Sequence, residues 1–123
     1  MGTVIYREMS YAIVGAAMEV HKLLGSGFLE KVYQKALARE LTLRGISFEE
    51  YKQLTVRYKG VVVGEYEADF VIDGKIILEL KAVQEIHLKH MAQTRHYLTA
   101  TGFDLGIVLN FGTTSLQYKR AVN

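Results

Sequence analysis

Apolar positions recur at helical spacing early in the chain and at strand spacing in its middle, and this change of period outlines a fold. Met9, Ile13, Ala16, Ala17, Val20, Leu23 and Leu24 lie on one helical stripe. Gly25-Ser26-Gly27 interrupts it. Leu29, Val32, Tyr33, Ala36, Leu37 and Leu41 form a second stripe, which ends at the stop signal Arg44-Gly45. Strand-like sequence runs from about Phe48 to Tyr58, from Val61 to Ile72 after a Lys59-Gly60 turn, and from Lys75 to Val83. A third helix is expected from about Ile86 to Ala100, with Leu88, Met91, Ala92 and Leu98 on its buried face and a stop at Gly102. Leu105-Gly106-Ile107-Val108-Leu109 is a continuous apolar run, as in a strand covered on both faces, and Leu116 to Val122 fits a final edge strand. The order helix, helix, three strands, helix, strand, strand predicts a mixed sheet with helices on its faces, an α/β or α+β architecture.

Three charges interrupt this apolar pattern. Asp69 lies in Glu65-Tyr66-Glu67-Ala68-Asp69-Phe70-Val71-Ile72, and Glu79 and Lys81 lie in Ile76-Ile77-Leu78-Glu79-Leu80-Lys81-Ala82-Val83. Asp73-Gly74 between them is a hairpin turn signal. Charges inside strand cores need a partner, and a divalent cation or a lysine can serve. A two-residue Asp73-Gly74 loop would put Glu79 and Lys81 on the face of Tyr66 and Phe70, against the hydrophobic pattern. An odd loop, such as Ile72-Asp73-Gly74, pairs Val71 with Lys75. It aligns Tyr66, Ala68, Phe70 and Ile72 with Ile76, Leu78, Leu80 and Ala82 on one face. Asp69, Glu79 and Lys81 then share the other face, with the two carboxylates as diagonal neighbours about 7–8 Å apart at the backbone.

Composition narrows the class. The chain has 123 residues, 50% hydrophobic and 23% charged, which suits one globular domain spanning 1–123. It has no cysteine, so neither disulfides nor a thiolate zinc site can form, and carboxylate donors favour magnesium or manganese. No apolar run approaches a membrane span, and Met1-Gly2-Thr3-Val4-Ile5-Tyr6-Arg7 does not read as a signal peptide; a soluble cytoplasmic protein with no membrane partner is expected. The net charge of +2 does not by itself select a polyanionic partner.

Asp69 followed by Glu79-Leu80-Lys81 on the adjoining strand resembles the signature of the PD-(D/E)XK nuclease superfamily, whose restriction-endonuclease-like core has a similar element order. Gly27-Phe28-Leu29-Glu30-Lys31-Val32-Tyr33 matches the Gly-x-x-Glu-x-x-Tyr (GxxExxY) pattern of a small family assigned to that superfamily. Val20-His21-Lys22-Leu23-Leu24-Gly25, Tyr58-Lys59-Gly60, Gln93 with Tyr97, and Leu109-Asn110-Phe111-Gly112 also look like that family's blocks. The resemblance implies that Asp69 and Glu79 hold a divalent metal, usually Mg²⁺ with Mn²⁺ as the alternative, and that Glu30 from an early helix completes the site. It implies that Lys81 activates water and stabilises the transferring phosphate, and that Gln93 and Tyr97 contact substrate. Ala68 stands where the full signature's neighbouring position would be, and no proline precedes an aspartate. The implied activity is metal-dependent hydrolysis of DNA or RNA. With little chain beyond the core, homodimerisation or recruitment by another protein would supply recognition.

Each residue also has a structural reading. Asp69, Glu79 and Lys81 suit a cross-strand salt-bridge cluster. Glu30 suits a first-turn carboxylate or cap, His21 a helix-end cap, and Tyr33 a core aromatic with a bonded hydroxyl. Gln93 and Tyr97 share a helix face like many surface pairs, while Lys89, His90, Arg95 and His96 suit either a phosphate-contacting or a solvated face. A non-catalytic nucleic-acid-binding or protein-interaction module on the same fold is the alternative to a nuclease.

Overall fold

The computed structural model describes residues 6–123; the reading of Met1 to Ile5 as no part of a signal peptide lies outside the described residues. Helix α1 (Arg7–Leu24) and helix α2 (Glu30–Leu43) precede strands β1 (Phe48–Tyr58), β2 (Val61–Ile72) and β3 (Ile76–Lys81). Helix α3 (Leu88–Thr101) then crosses back, and β4 (Leu105–Asn110) and β5 (Gln117–Val122) finish the chain. The five strands lie in the order β1-β2-β3-β4-β5, with β3 and β4 parallel and the other neighbours antiparallel. The mixed α+β sheet is therefore as the pattern predicts. The parallel pair follows from the α3 crossover, since parallel neighbours need a long connection.

Helices α1 and α2 cover one face. Ile13, Ala16, Ala17, Val20, Tyr33, Leu37 and Leu41 pack there on Phe70, Ile72, Ile76, Leu78, Leu80, Leu105, Ile107 and Leu109. Helix α3 covers the other face through Met91 and Leu98, against Val71, Ile77 and Val108. The β4 run is buried throughout, because its alternate side chains enter both cores. Gly106 faces α3, and a Cβ there would stand 2.8 Å from Thr94 Cγ2, so the glycine sets how closely α3 approaches. The expected α3 face needs correction: Leu88 and Ala92 are exposed, and Thr94 takes the buried position between Met91 and Leu98. The spacing 91, 94, 98 keeps one stripe, and α3 starts only after His87.

The β2–β3 hairpin has an odd loop, one residue later than expected. Asp73-Gly74-Lys75 form it, Ile72 pairs with Ile76, and Asp73 and Gly74 take φ of 51° and 65°. The Lys75 amide donates to the Ile72 carbonyl at 2.9 Å, closing the turn. Loop parity, and hence the facing of Glu79 and Lys81 with Ile77, is as the burial pattern requires. The shift has a consequence, because continuing the register sets Asp69 directly opposite Glu79 rather than diagonal to it.

Tyr66 and Ala68 correct a second expectation. They belong to the α3-side core, whereas Phe70 and Ile72 belong to the α1/α2 side. Alternation breaks at Asp69, where the β1 partner Tyr51 has φ 51° and the Tyr51–Asp69 pair is missing from a register that is constant from Phe48 to Val56. A left-handed residue kinks the ribbon there, and its outer half turns so that Leu54, Val56, Tyr66 and Ala68 meet α3.

Candidate active site

The β2–β3 ladder stops at Phe70–Leu78, one step short of the two acids. Beyond it the side chains replace the backbone acceptors. The Leu80 amide donates to Asp69 Oδ2 at 2.8 Å, and the Asp69 amide donates to Glu79 Oε2 at 3.1 Å. Each carboxylate thus caps the opposing strand where the strands part, which satisfies amides that a continued ladder would have used. One oxygen of each acid is held this way.

Asp69 and Glu79 are two half-buried like charges side by side. Burial first and Asp69 second push Glu79 up from 4.5 to about 7. Burial also raises Asp69, against the Leu80 amide and Lys81, which pull it down. Lys81 is close enough to act on both, yet it makes no ion pair with either. Among the described residues the ion pairs are Arg44–Glu40, Lys52–Glu49 and Lys75–Asp73, all elsewhere. A closed salt-bridge cluster is therefore not what the three residues form. Hard oxygen donors that repel one another suit a divalent cation, so the donor set fits one.

Glu30 is the first residue of α2, with Leu29 as N-cap, and its side chain makes no cap bond. Partial burial raises its carboxyl, Lys81 lowers it and Asp69 raises it, so it belongs to the same electrostatic neighbourhood. Still, among the described residues no three His, Asp or Glu side chains stand close enough to share an ion. Gln34, one turn on, is the residue that pattern reading misses. It is 4% exposed, and its Nε2 donates to the Asp69 carbonyl at 3.1 Å and to Glu50 Oε2 at 3.2 Å. It ties α2 to the kink in β2, and its only sequence signal is a polar residue four positions after Glu30.

Tyr66 faces the acids from the α3 side. Its hydroxyl is buried beside Glu79, and burial and the Glu79 charge push its ionisation far up. Tyr97 stacks on it with centroids 3.5 Å apart and planes 9° apart, and Gln93 Nε2 reaches Tyr97 Oη at 3.4 Å. Gln93 is exposed, and neither residue bonds Asp69, Glu79 or Lys81. Tyr97 meets the cluster through Tyr66.

A second clamp follows Lys81. The Phe111 amide donates to the Lys81 carbonyl at 2.8 Å. Fully buried Asn110 accepts from the Val83 amide and donates to the Val83 carbonyl, both at 3.0 Å. It also accepts from Gly112 and donates to Gln117 Oε1, which in turn takes the Ile86 amide. Gly112 is required there, since a Cβ would fall 2.4 Å from the Val83 carbonyl oxygen. The chain leaving Lys81 is thus fixed on both sides. His21 contributes from α1: its Nε2 donates to the Thr113 carbonyl at 2.9 Å, so it latches the β4–β5 loop rather than capping its helix. Tyr33 is a core aromatic, stacked on Phe111 at 4.6 Å, with its hydroxyl donating to Gly25 O and accepting from the Phe28 amide.

The profile of the PD-(D/E)XK nuclease superfamily matches residues 7–121, and the chain belongs to that superfamily. Among solved structures, an alkaline exonuclease (LHK-Exo) from Laribacter hongkongensis is similar with a TM-score of 0.56 at 11% identity, over 100% of this chain and 72% of that one. The crystal structure of SSO0001 is similar with a TM-score of 0.58 at 14% identity, over 98% of this chain and 78% of that one. At these identities the likeness is one of fold. No curated protein matches the chain. No described helix is long and apolar enough to cross a membrane.

Proposed function

We propose that residues 1–123 form one nuclease domain of the GxxExxY type, which hydrolyses phosphodiester bonds of DNA or RNA with Mg²⁺, or Mn²⁺ in its place. The observation that carries this reading is the pair of acids at the parting of β2 and β3, each held by one oxygen through an opposing amide, beside an unpaired lysine. Asp69 and Glu79 would hold the cation, with Glu30 as the third carboxylate of the site. A divalent ion there supplies charge neutralisation at phosphate and a bound water of lowered pKa. Lys81 contributes a positive charge beside the transferring phosphate and cannot ligate the metal, because an ammonium has no lone pair. Tyr97 and Gln93 would meet the strand beyond Tyr66, and a homodimer would extend a recognition surface that one small domain lacks.

The test is cleavage of plasmid and single-stranded oligonucleotides in Mg²⁺ and Mn²⁺ by wild type, Lys81→Ala and Glu79→Ala. Wild type should cleave; Lys81→Ala should lose activity by a factor of about 10² or more, as for a lost charge stabiliser. Glu79→Ala should lose activity with its metal. Wild-type protein that binds nucleic acid but cleaves nothing would favour the binding-module alternative. Equal cleavage by all three would assign the activity to a contaminant.

A further inference from the structure

A cavity of about 530 Å³ lies at the opposite end of α2 from the acids, between α1 and β5. Glu30 begins α2 and Arg44 follows its last turn; a 14-residue helix is about 21 Å long, so the two sites are separate. Three arginines line the cavity, Arg7, Arg44 and Arg120, and no described carboxylate does. Glu40 Oε2 accepts from Arg44 Nε at 2.7 Å and fixes that guanidinium. Its Nη1 lies over Gly15 of α1, 3.4 Å from where a Cβ would stand. Arg7 forms no ion pair with a described residue.

The remaining lining is planar or apolar. Tyr11 and Tyr118 are 83% and 44% exposed, and Met18 is 49% exposed beside them. Ser10 is 7% exposed, lines the same cavity, and its hydroxyl is buried without a hydrogen-bond partner. The volume suits a small molecule. Guanidinium forks match phosphate oxygens, and tyrosine faces match a nucleobase.

We infer that this cavity binds a nucleoside phosphate, its base against Tyr11 and Tyr118 and its phosphate on Arg7 and Arg44. The ligand is either a free nucleotide or a unit of a strand. The inference goes beyond the nuclease reading and does not depend on it, since no residue is shared with the acids.

Calorimetric titration in EDTA tests it, with adenosine 5′-monophosphate, inorganic phosphate and a 5′-phosphorylated hexadeoxyadenylate as probes. Wild type should bind the monophosphate saturably. Arg7→Glu, at an exposed position, should weaken it at least tenfold, and Tyr11→Ala should weaken the monophosphate but not inorganic phosphate. Asp69→Asn should leave binding unchanged, which separates this cavity from the proposed catalytic site. Tighter binding of the oligonucleotide would identify a strand as the source, and tighter binding of the monophosphate a free nucleotide; either supports the site. No saturation at 10 mM in wild type, unchanged affinity in Arg7→Glu, or phosphate binding as tightly as the monophosphate would overturn it. So would a dimer by sedimentation that Arg7→Glu dissolves while the monophosphate does not compete, because a second copy would then fill the cavity.

Discussion

Individual side chains at this site oppose the stability of the fold. Glu79 is raised to about 7 in the folded chain by burial and by Asp69, and Asp69 is raised in the same sense. A raised carboxyl means that the folded state binds more protons than the unfolded state between the two pKa values. Stability contributed by such a group is therefore greatest below its ordinary pKa of 4.5 and falls as pH rises through about 7. Metal-free protein should melt at a lower temperature at pH 7.5 than at pH 5.5. Glu79→Gln should flatten that slope and stabilise the metal-free fold at pH 7.5 by up to about 3 kcal/mol; thermal melts in EDTA at both pH values check it, and an unchanged slope would contradict it. Asn110 acts in the opposite sense. Asn110→Ala would leave Val83 N–H, Val83 C=O and Gly112 N–H unpaired in a partly buried place, at about 1 kcal/mol or more each. Urea unfolding should show a loss of at least ~3 kcal/mol. At this scale the sequence was partly legible. Asp69, Glu79 and Lys81 stood out because charge is rare inside strand cores; Asn110 was marked only as part of the Leu109-Asn110-Phe111-Gly112 block, with no role, and Gln34 is a neutral amide that no pattern separates from surface residues.

Elements were read more securely than their faces. Helical and strand periods located three helices and five strands to within a few residues, because burial on the sheet enforces the period. Where burial is not periodic the reading failed. The kink at Tyr51 and Asp69 swaps the faces of Tyr66 and Ala68, and a left-handed tyrosine carries no sequence signal. The hairpin loop came one residue late because Asp73 and Gly74 both take positive φ and Lys75 joins the turn. Parity survived that slip, and parity is what the acids need. On α3, Leu88 and Ala92 were expected inside, yet the close approach allowed by Gly106 selects the Thr94 face. Gly106→Ala should destabilise by about 1–3 kcal/mol, as overpacking does. Adding Thr94→Ser, which removes Cγ2 and keeps the hydroxyl bond to the His90 carbonyl, should restore most of it. Paired urea denaturation of the single and double variants measures this, and an additive double variant would contradict the contact.

For the molecule as a whole, the sheet order puts the most constrained and the most open backbone side by side. β3 is flanked by β2 and β4, its exit is fixed by Asn110 and Phe111, and its β2 side opens at the acids. That arrangement holds Lys81 and Glu79 on a strand whose exit is fixed, as the proposed preorganised site requires. The order of elements pointed to this sheet in advance, but the opening between β2 and β3 could be read only from coordinates, since it depends on side chains replacing ladder acceptors. Calorimetric titration of Mn²⁺ into wild type, Lys81→Ala and Asp69→Ala tests the central claim most directly. Wild type and Lys81→Ala should bind Mn²⁺ with closely similar affinity, and Asp69→Ala should lose the binding heat. Undiminished Mn²⁺ affinity in Asp69→Ala would contradict the claim that these carboxylates form the metal site.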